Sequence, residues 1–118
     1  MAEADGILLS DRDRAIVQRV LAPFADRIDR VGVFGSRALG TARPSSDIDL
    51  VLWGEVDDPL VAQLWSRFDA SSLALHIDLV AYDPSLAPAF RRHIDQVAKL
   101  LFTKEQLQGN AKITAEGD

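Results

Sequence analysis

Cysteine is absent from the 118 residues, so the fold must hold without disulfides and no thiolate can bind a metal. Zinc held through sulfur is excluded, and a reducing compartment is compatible. Apolar runs are short as well. None approaches the roughly 20 residues needed to cross a bilayer, and the opening Ala2-Glu3-Ala4-Asp5 has neither the basic nor the apolar part of a secretion signal. A cytoplasmic chain without membrane contact is expected. Basic residues never gather into a tract, and the formal net charge is −5. That balance disfavours direct binding to a nucleic-acid backbone and suits a free nucleotide better. No repeat, low-complexity block or linker divides the chain, whose length fits one domain burying roughly two-thirds of its unfolded surface.

What the chain does have is concentrated between Val31 and Leu52. Val31-Gly32-Val33-Phe34 is a short β-branched and aromatic run, interrupted by Gly35-Ser36, after which Arg37-Ala38-Leu39 can begin a helical turn. At such a junction unpaired backbone N–H groups point outward, and a glycine lets a phosphate approach the backbone closely. The Ser36 hydroxyl can add a further contact. Ten residues later comes Asp47-Ile48-Asp49-Leu50-Val51-Leu52, which alternates acid and aliphatic residue as a strand with one covered face does.

Residues two apart on a strand are separated by about 6.5–7 Å, so the Asp47 and Asp49 carboxylates can lean onto one hard divalent cation or bridge two. Without a cation they would repel, raising one pKa and weakening the strand. The pair points to Mg²⁺. Two metals need a further carboxylate, and Leu75-His76-Ile77-Asp78-Leu79-Val80-Ala81 offers one in a second alternating strand. If that strand lies beside the first, Asp78 completes the metal site and is placed to accept the proton of an incoming hydroxyl. His76 shares the face of Asp78 and is expected to face solvent rather than a metal or nucleotide. Each feature alone is commonplace. The three together, in this order, are not.

The remaining elements follow from period and punctuation. Ser10 caps a first helix carrying Ile16, Val17, Val20, Leu21 and Phe24, which Pro23 ends or bends near Leu21. Thr41 to Ser46 is a turn-rich loop. Asp57-Asp58-Pro59 opens a second helix with Leu60, Val61, Leu64, Trp65 and Phe68 on its apolar stripe. Ser85 is expected to cap a third, carrying Leu86, Phe90, Ile94 and Val97, with Leu100-Leu101-Phe102 as an edge strand. Residues 1–9 read as a flexible start, 10–105 as the folded domain and 106–118 as a polar tail without periodicity, expected to be disordered. This order gives a two-layer α/β (α+β) domain with a small sheet.

Gly35-Ser36, then Asp47-x-Asp49, then Asp78 on a later strand resembles the signature of the DNA polymerase β-like nucleotidyltransferase superfamily. Within it the chain is similar to minimal nucleotidyltransferases, the likeness running from the first helix to Phe102. The resemblance implies a mixed sheet, phosphate binding by Gly35 and Ser36, and metal binding by Asp47, Asp49 and Asp78. Relatives often read Gly-Ser-x-Ala-Arg-Gly where this chain has Gly35-Ser36-Arg37-Ala38-Leu39-Gly40, leaving Arg37 or Arg43 to supply the missing charge. The implied activity is Mg²⁺-dependent transfer of NMP, AMP from ATP, to a hydroxyl, with two ions and Arg37 helping to neutralise the phosphates. The acceptor implied is a tyrosine of a HEPN-type toxin, which makes this chain the antitoxin. Two alternatives stand beside it: an antitoxin that silences its partner by binding alone, and a transferase acting on a small hydroxylated molecule such as an aminoglycoside.

Overall fold

The computed structural model describes residues 5–109, so the first four residues and the tail from 110 onward, expected to be flexible, lie outside the described residues. The elements run α1 (Asp11–Leu21), β1 (Ile28–Phe34), α2 (Ser36–Leu39), β2 (Ile48–Gly54), α3 (Asp58–Asp69), β3 (Ile77–Ala81), α4 (Pro88–Val97) and β4 (Lys99–Thr103). Helical backbone resumes over residues 104–109. Helix starts obey local chemistry. Ser10 Oγ accepts from the Asp13 N–H at 3.0 Å to open α1, and Asp57 Oδ1 accepts from the Leu60 N–H at 3.0 Å to open α3. Pro23 sits in a tight turn over Ala22–Phe24 that ends α1.

The third cap differs from expectation. The Ser85 N–H donates to Asp83 Oδ1 at 2.7 Å, which makes an Asx turn, and α4 begins only at Pro88, whose fixed φ suits a first helical turn.

The four strands form one mixed sheet in the order β3-β2-β1-β4. β1 pairs antiparallel with β2 and β4, and β2 pairs parallel with β3 across the α3 crossover. Alternation divides the side chains between two faces. Val31, Val33, Ile48, Leu50, Leu52, Ile77 and Leu79 point to one face, where they bury against Val17 and Leu21 of α1 and Leu60, Leu64 and Phe68 of α3. The other face is only partly covered. There Ile94 of α4 buries against Phe34 and Val51, and Phe90 meets the Phe34 ring edge-on with centroids 5.8 Å apart. Farther along, Trp53 lies over Gly32, where any Cβ would strike the indole, and stacks on Tyr82 at 5.3 Å. Between the α4 contact and the starts of β2 and β3 this second face stays open, and the acidic residues stand there. Among the described residues no helix is long and apolar enough to cross a membrane.

The packed region exceeds the boundaries expected from sequence. Ile7 and Leu9 are buried in the main core, and so is Leu107 beyond the expected limit at residue 105. The Gln18 side chain donates to the Gln106 carbonyl at 2.8 Å, which ties the last segment to α1. Leu107→Ala should therefore lower stability by about 2–5 kcal/mol, read by urea denaturation. A change near zero would return residues 106–109 to the tail.

Candidate active site

The site is built by strand register. In the parallel β2/β3 pair Asp49 stands directly opposite Asp78. One step earlier the Ile48 N–H donates to the His76 carbonyl at 2.9 Å, so the approaches to both strands run side by side and Asp47 and His76 form a second rung on the same face. Four polar side chains thus stand in a two-by-two array. Asp47, His76 and Asp78 each offer a ligand atom within 4.8 Å of the others, and His76 Nε2 lies 3.1 Å from Asp78 Oδ1. The Asp49 carboxyl is pushed above the usual carboxylate range, first by burial, then by the facing Asp78 carboxylate and by Asp47. Like charges are therefore held together here at a cost.

The glycine bend closes the array on the β1 side. Gly35 has φ 73° and ψ −155°, and a Cβ at this position would collide with Asp49 Oδ2. Both facts demand glycine: the backbone lies in a region L-residues avoid, and the carboxylate occupies the space a side chain needs. Ser36 follows as the first residue of α2, where the Ala38 and Leu39 amides donate to the Gly35 carbonyl at 3.1 and 3.0 Å and the Ser36 and Arg37 amides precede the first such bond. Gly35→Ala should cost about 1–3 kcal/mol and displace the Asp49 carboxylate, which an aspartate-specific NMR titration with and without cation would reveal. An unperturbed Asp49 would show that the bend and the array are independent.

Arg37 does not do what the sequence led us to expect. It is 6% exposed. Its guanidinium donates to the Leu8 carbonyl at 2.7 Å and the Ser46 carbonyl at 2.8 Å, with longer bonds to Pro44 and Arg43 at 3.2 and 3.4 Å. Its donors face main-chain carbonyls rather than a bound phosphate, and it clamps the 41–46 loop that leads into Asp47. Arg43, on that loop, is exposed. Leu39, where relatives often carry arginine, is 56% exposed. His76, expected to face solvent, is exposed, its side chain 55% accessible, and it also stands beside the acidic pair Asp47 and Asp78.

A family model described as Polymerase beta, Nucleotidyltransferase matches residues 17–107, which takes in every residue of this site. The chain belongs to that family. Among solved structures, this nucleotidyltransferase is similar to a toxin–antitoxin crystallised with AMP-PNP, at 18% identity and a TM-score of 0.63 over 88% of this chain and 87% of the other. It is also similar to a structure of a tri-AMPylated Shewanella oneidensis HEPN toxin in complex with its MNT antitoxin, at 15% identity and a TM-score of 0.60 over 92% and 88%. A third likeness is to the toxin–antitoxin MntA-HepT, at 16% identity and a TM-score of 0.53 over 92% and 88%. At these identities the structures share its fold. No curated protein gives a sequence match.

The nucleotidyltransferase's donor set fits a divalent cation. Asp47 and Asp78 supply hard oxygens and His76 a ring nitrogen within 4.8 Å of one another, and beside them the Asp49 carboxyl is raised first by burial and then by the Asp78 and Asp47 carboxylates.

Proposed function

We propose that this chain transfers AMP from ATP to a tyrosine hydroxyl of a HEPN-type toxin and so acts as its antitoxin. The observation that carries the reading is the in-register facing of Asp49 and Asp78, with Asp47 beside them and the Gly35 bend against Asp49. Asp47, Asp49 and Asp78 would hold the cations, Mg²⁺ and two in number. Such ions, when bound, neutralise phosphate oxygens and favour in-line displacement. The Ser36 hydroxyl and the amides at the start of α2 would receive the triphosphate, and Arg43 takes the cationic role that Arg37 is too buried to fill. The acceptor oxygen bonds to the α-phosphorus as the bond to pyrophosphate breaks, and the acceptor's proton passes to the Asp78 carboxylate.

The choice of adenine and of a HEPN acceptor is supported by the AMP-PNP and tri-AMPylated toxin structures that share this fold. An open second face suits an acceptor carried on another protein. An ATP donor is in keeping with a cytoplasmic location.

The test is incubation with α- or γ-labelled ATP, Mg²⁺ and a HEPN-type protein from the same source. Label from the α-phosphate should appear on the HEPN protein, none from the γ-phosphate, and a Tyr→Phe change in the acceptor should prevent it. An unlabelled but silenced partner would make the chain an antitoxin by binding alone. Label on an aminoglycoside instead would make it a small-molecule transferase.

A further inference from the structure

We infer that His76 is a metal ligand of this site and gives it a preference for transition-metal ions over Mg²⁺. The inference rests on the proposed cation-dependent site and adds an imidazole to a set otherwise made of carboxylates. Its basis is geometric. His76 Nε2 sits 3.1 Å from Asp78 Oδ1, and a ring nitrogen of His76 lies within 4.8 Å of the Asp47 ligand atom. The backbone that carries it is pinned to the start of β2 by the Ile48-to-His76 hydrogen bond. On its other side the ring packs edge-on to the Trp65 indole, with centroids 5.8 Å apart. Trp65 therefore limits the rotamers open to His76 and keeps the imidazole beside the carboxylates. An open cleft of about 270 Å³ between α3 and the start of β3, lined by Trp65, Leu75 and His76, leaves the group accessible from solvent.

Ligand chemistry then decides the selectivity. Mg²⁺ takes oxygen ligands and keeps much of its water, so an imidazole adds little to its affinity. Mn²⁺ accepts oxygen and nitrogen together, and Zn²⁺ binds imidazole strongly, in keeping with the rising affinity along the first transition row. The Asp47–His76–Asp78 corner thus favours Mn²⁺ or Zn²⁺, while Asp49 remains the oxygen ligand shared with the bend.

The chain has two histidines, and the second, His93, is exposed on α4, which gives an internal control. Zn²⁺ titrated into the whole protein, followed by the imidazole ¹⁵N signals, should shift His76 Nε2 and leave His93 unmoved. His76→Phe keeps a ring against Trp65 but removes the donor. It should weaken Mn²⁺ binding about tenfold to a hundredfold, while Mg²⁺ affinity, read by competition, changes less than about twofold. His76 signals indifferent to Zn²⁺, or equal losses for both ions in His76→Phe, would overturn the inference while Mg²⁺ binding and label transfer still stood. A wild-type protein that binds neither ion would instead remove the site on which the inference rests.

Discussion

Asp49→Asn should abolish nucleotidyl transfer, a loss of about 10³-fold or more, and at the same time raise the melting temperature of the metal-free protein. Both results follow from one arrangement. Asp49 is the half-buried member of the acidic array, opposite Asp78 and against the Gly35 bend. Its carboxyl is pushed upward by burial, by the facing Asp78 and by Asp47. Relieving that repulsion with a neutral isostere removes a destabilising contact worth about 0.2–1 kcal/mol, equivalent to roughly 1–6 °C in a domain of this size. Catalysis loses its central oxygen ligand. Added Mn²⁺ should reverse the ranking, stabilising the wild type and leaving the variant almost unchanged. Calorimetry with and without cation, beside the label-transfer assay, checks both halves. A variant that is inactive and also less stable without cation would make Asp49 a structural residue instead.

Arg37→Ala should be strongly destabilising. The guanidinium fixes carbonyls of Leu8, Arg43, Pro44 and Ser46, which come from two separate stretches of chain. Its removal takes this partner from the Leu8, Pro44 and Ser46 carbonyls, while the Arg43 carbonyl keeps the Ser46 N–H, in a region where the arginine itself is 6% exposed. Hydrogen bonds to charged groups contribute about 1.5–3 kcal/mol each, and an unsatisfied buried acceptor costs a further 1–3. A net loss of about 3–4 kcal/mol is expected, on the order of 10–15 °C in melting temperature. Arg37→Lys should recover little, because one ammonium cannot span the planar fork of acceptors. Phosphate binding measured on whatever fraction folds should be unaltered. A stable Arg37→Ala protein with weakened ATP binding would restore the phosphate-binding role that the sequence pointed to.

The contrast between these two residues shows where sequence reasoning ends. Asp47, Asp49 and Asp78 were legible because a strand alternates with period two, and the acids mark one face whatever the neighbouring strand does. Gly35 was legible from its place between a β-branched run and a helical turn, although the reason it cannot be replaced, the Asp49 carboxylate against it, comes from another strand. Arg37 was misread because its partners Leu8 and Ser46 are brought to it only by the folded path of the chain. His76 is exposed as the sequence led one to expect, but its place beside Asp47 depends on β2 and β3 being parallel and in register, and no local pattern encodes that. The limits of the domain were drawn too tightly because Ile7, Leu9 and Leu107 are isolated apolar residues whose burial needs a core to receive them. Ser85 does not cap α4, which starts at Pro88 without a side-chain cap, while Asp83 takes the Ser85 N–H into an Asx turn, a choice between two short polar residues that composition leaves undecided.

The account is tested most directly by anomalous diffraction from a crystal soaked in Mn²⁺ with a non-hydrolysable ATP analogue. Manganese peaks should lie in contact with the carboxylates of Asp49 and Asp78, with the triphosphate at the amides that follow Gly35. Manganese or nucleotide bound elsewhere, with these carboxylates left empty, would contradict it.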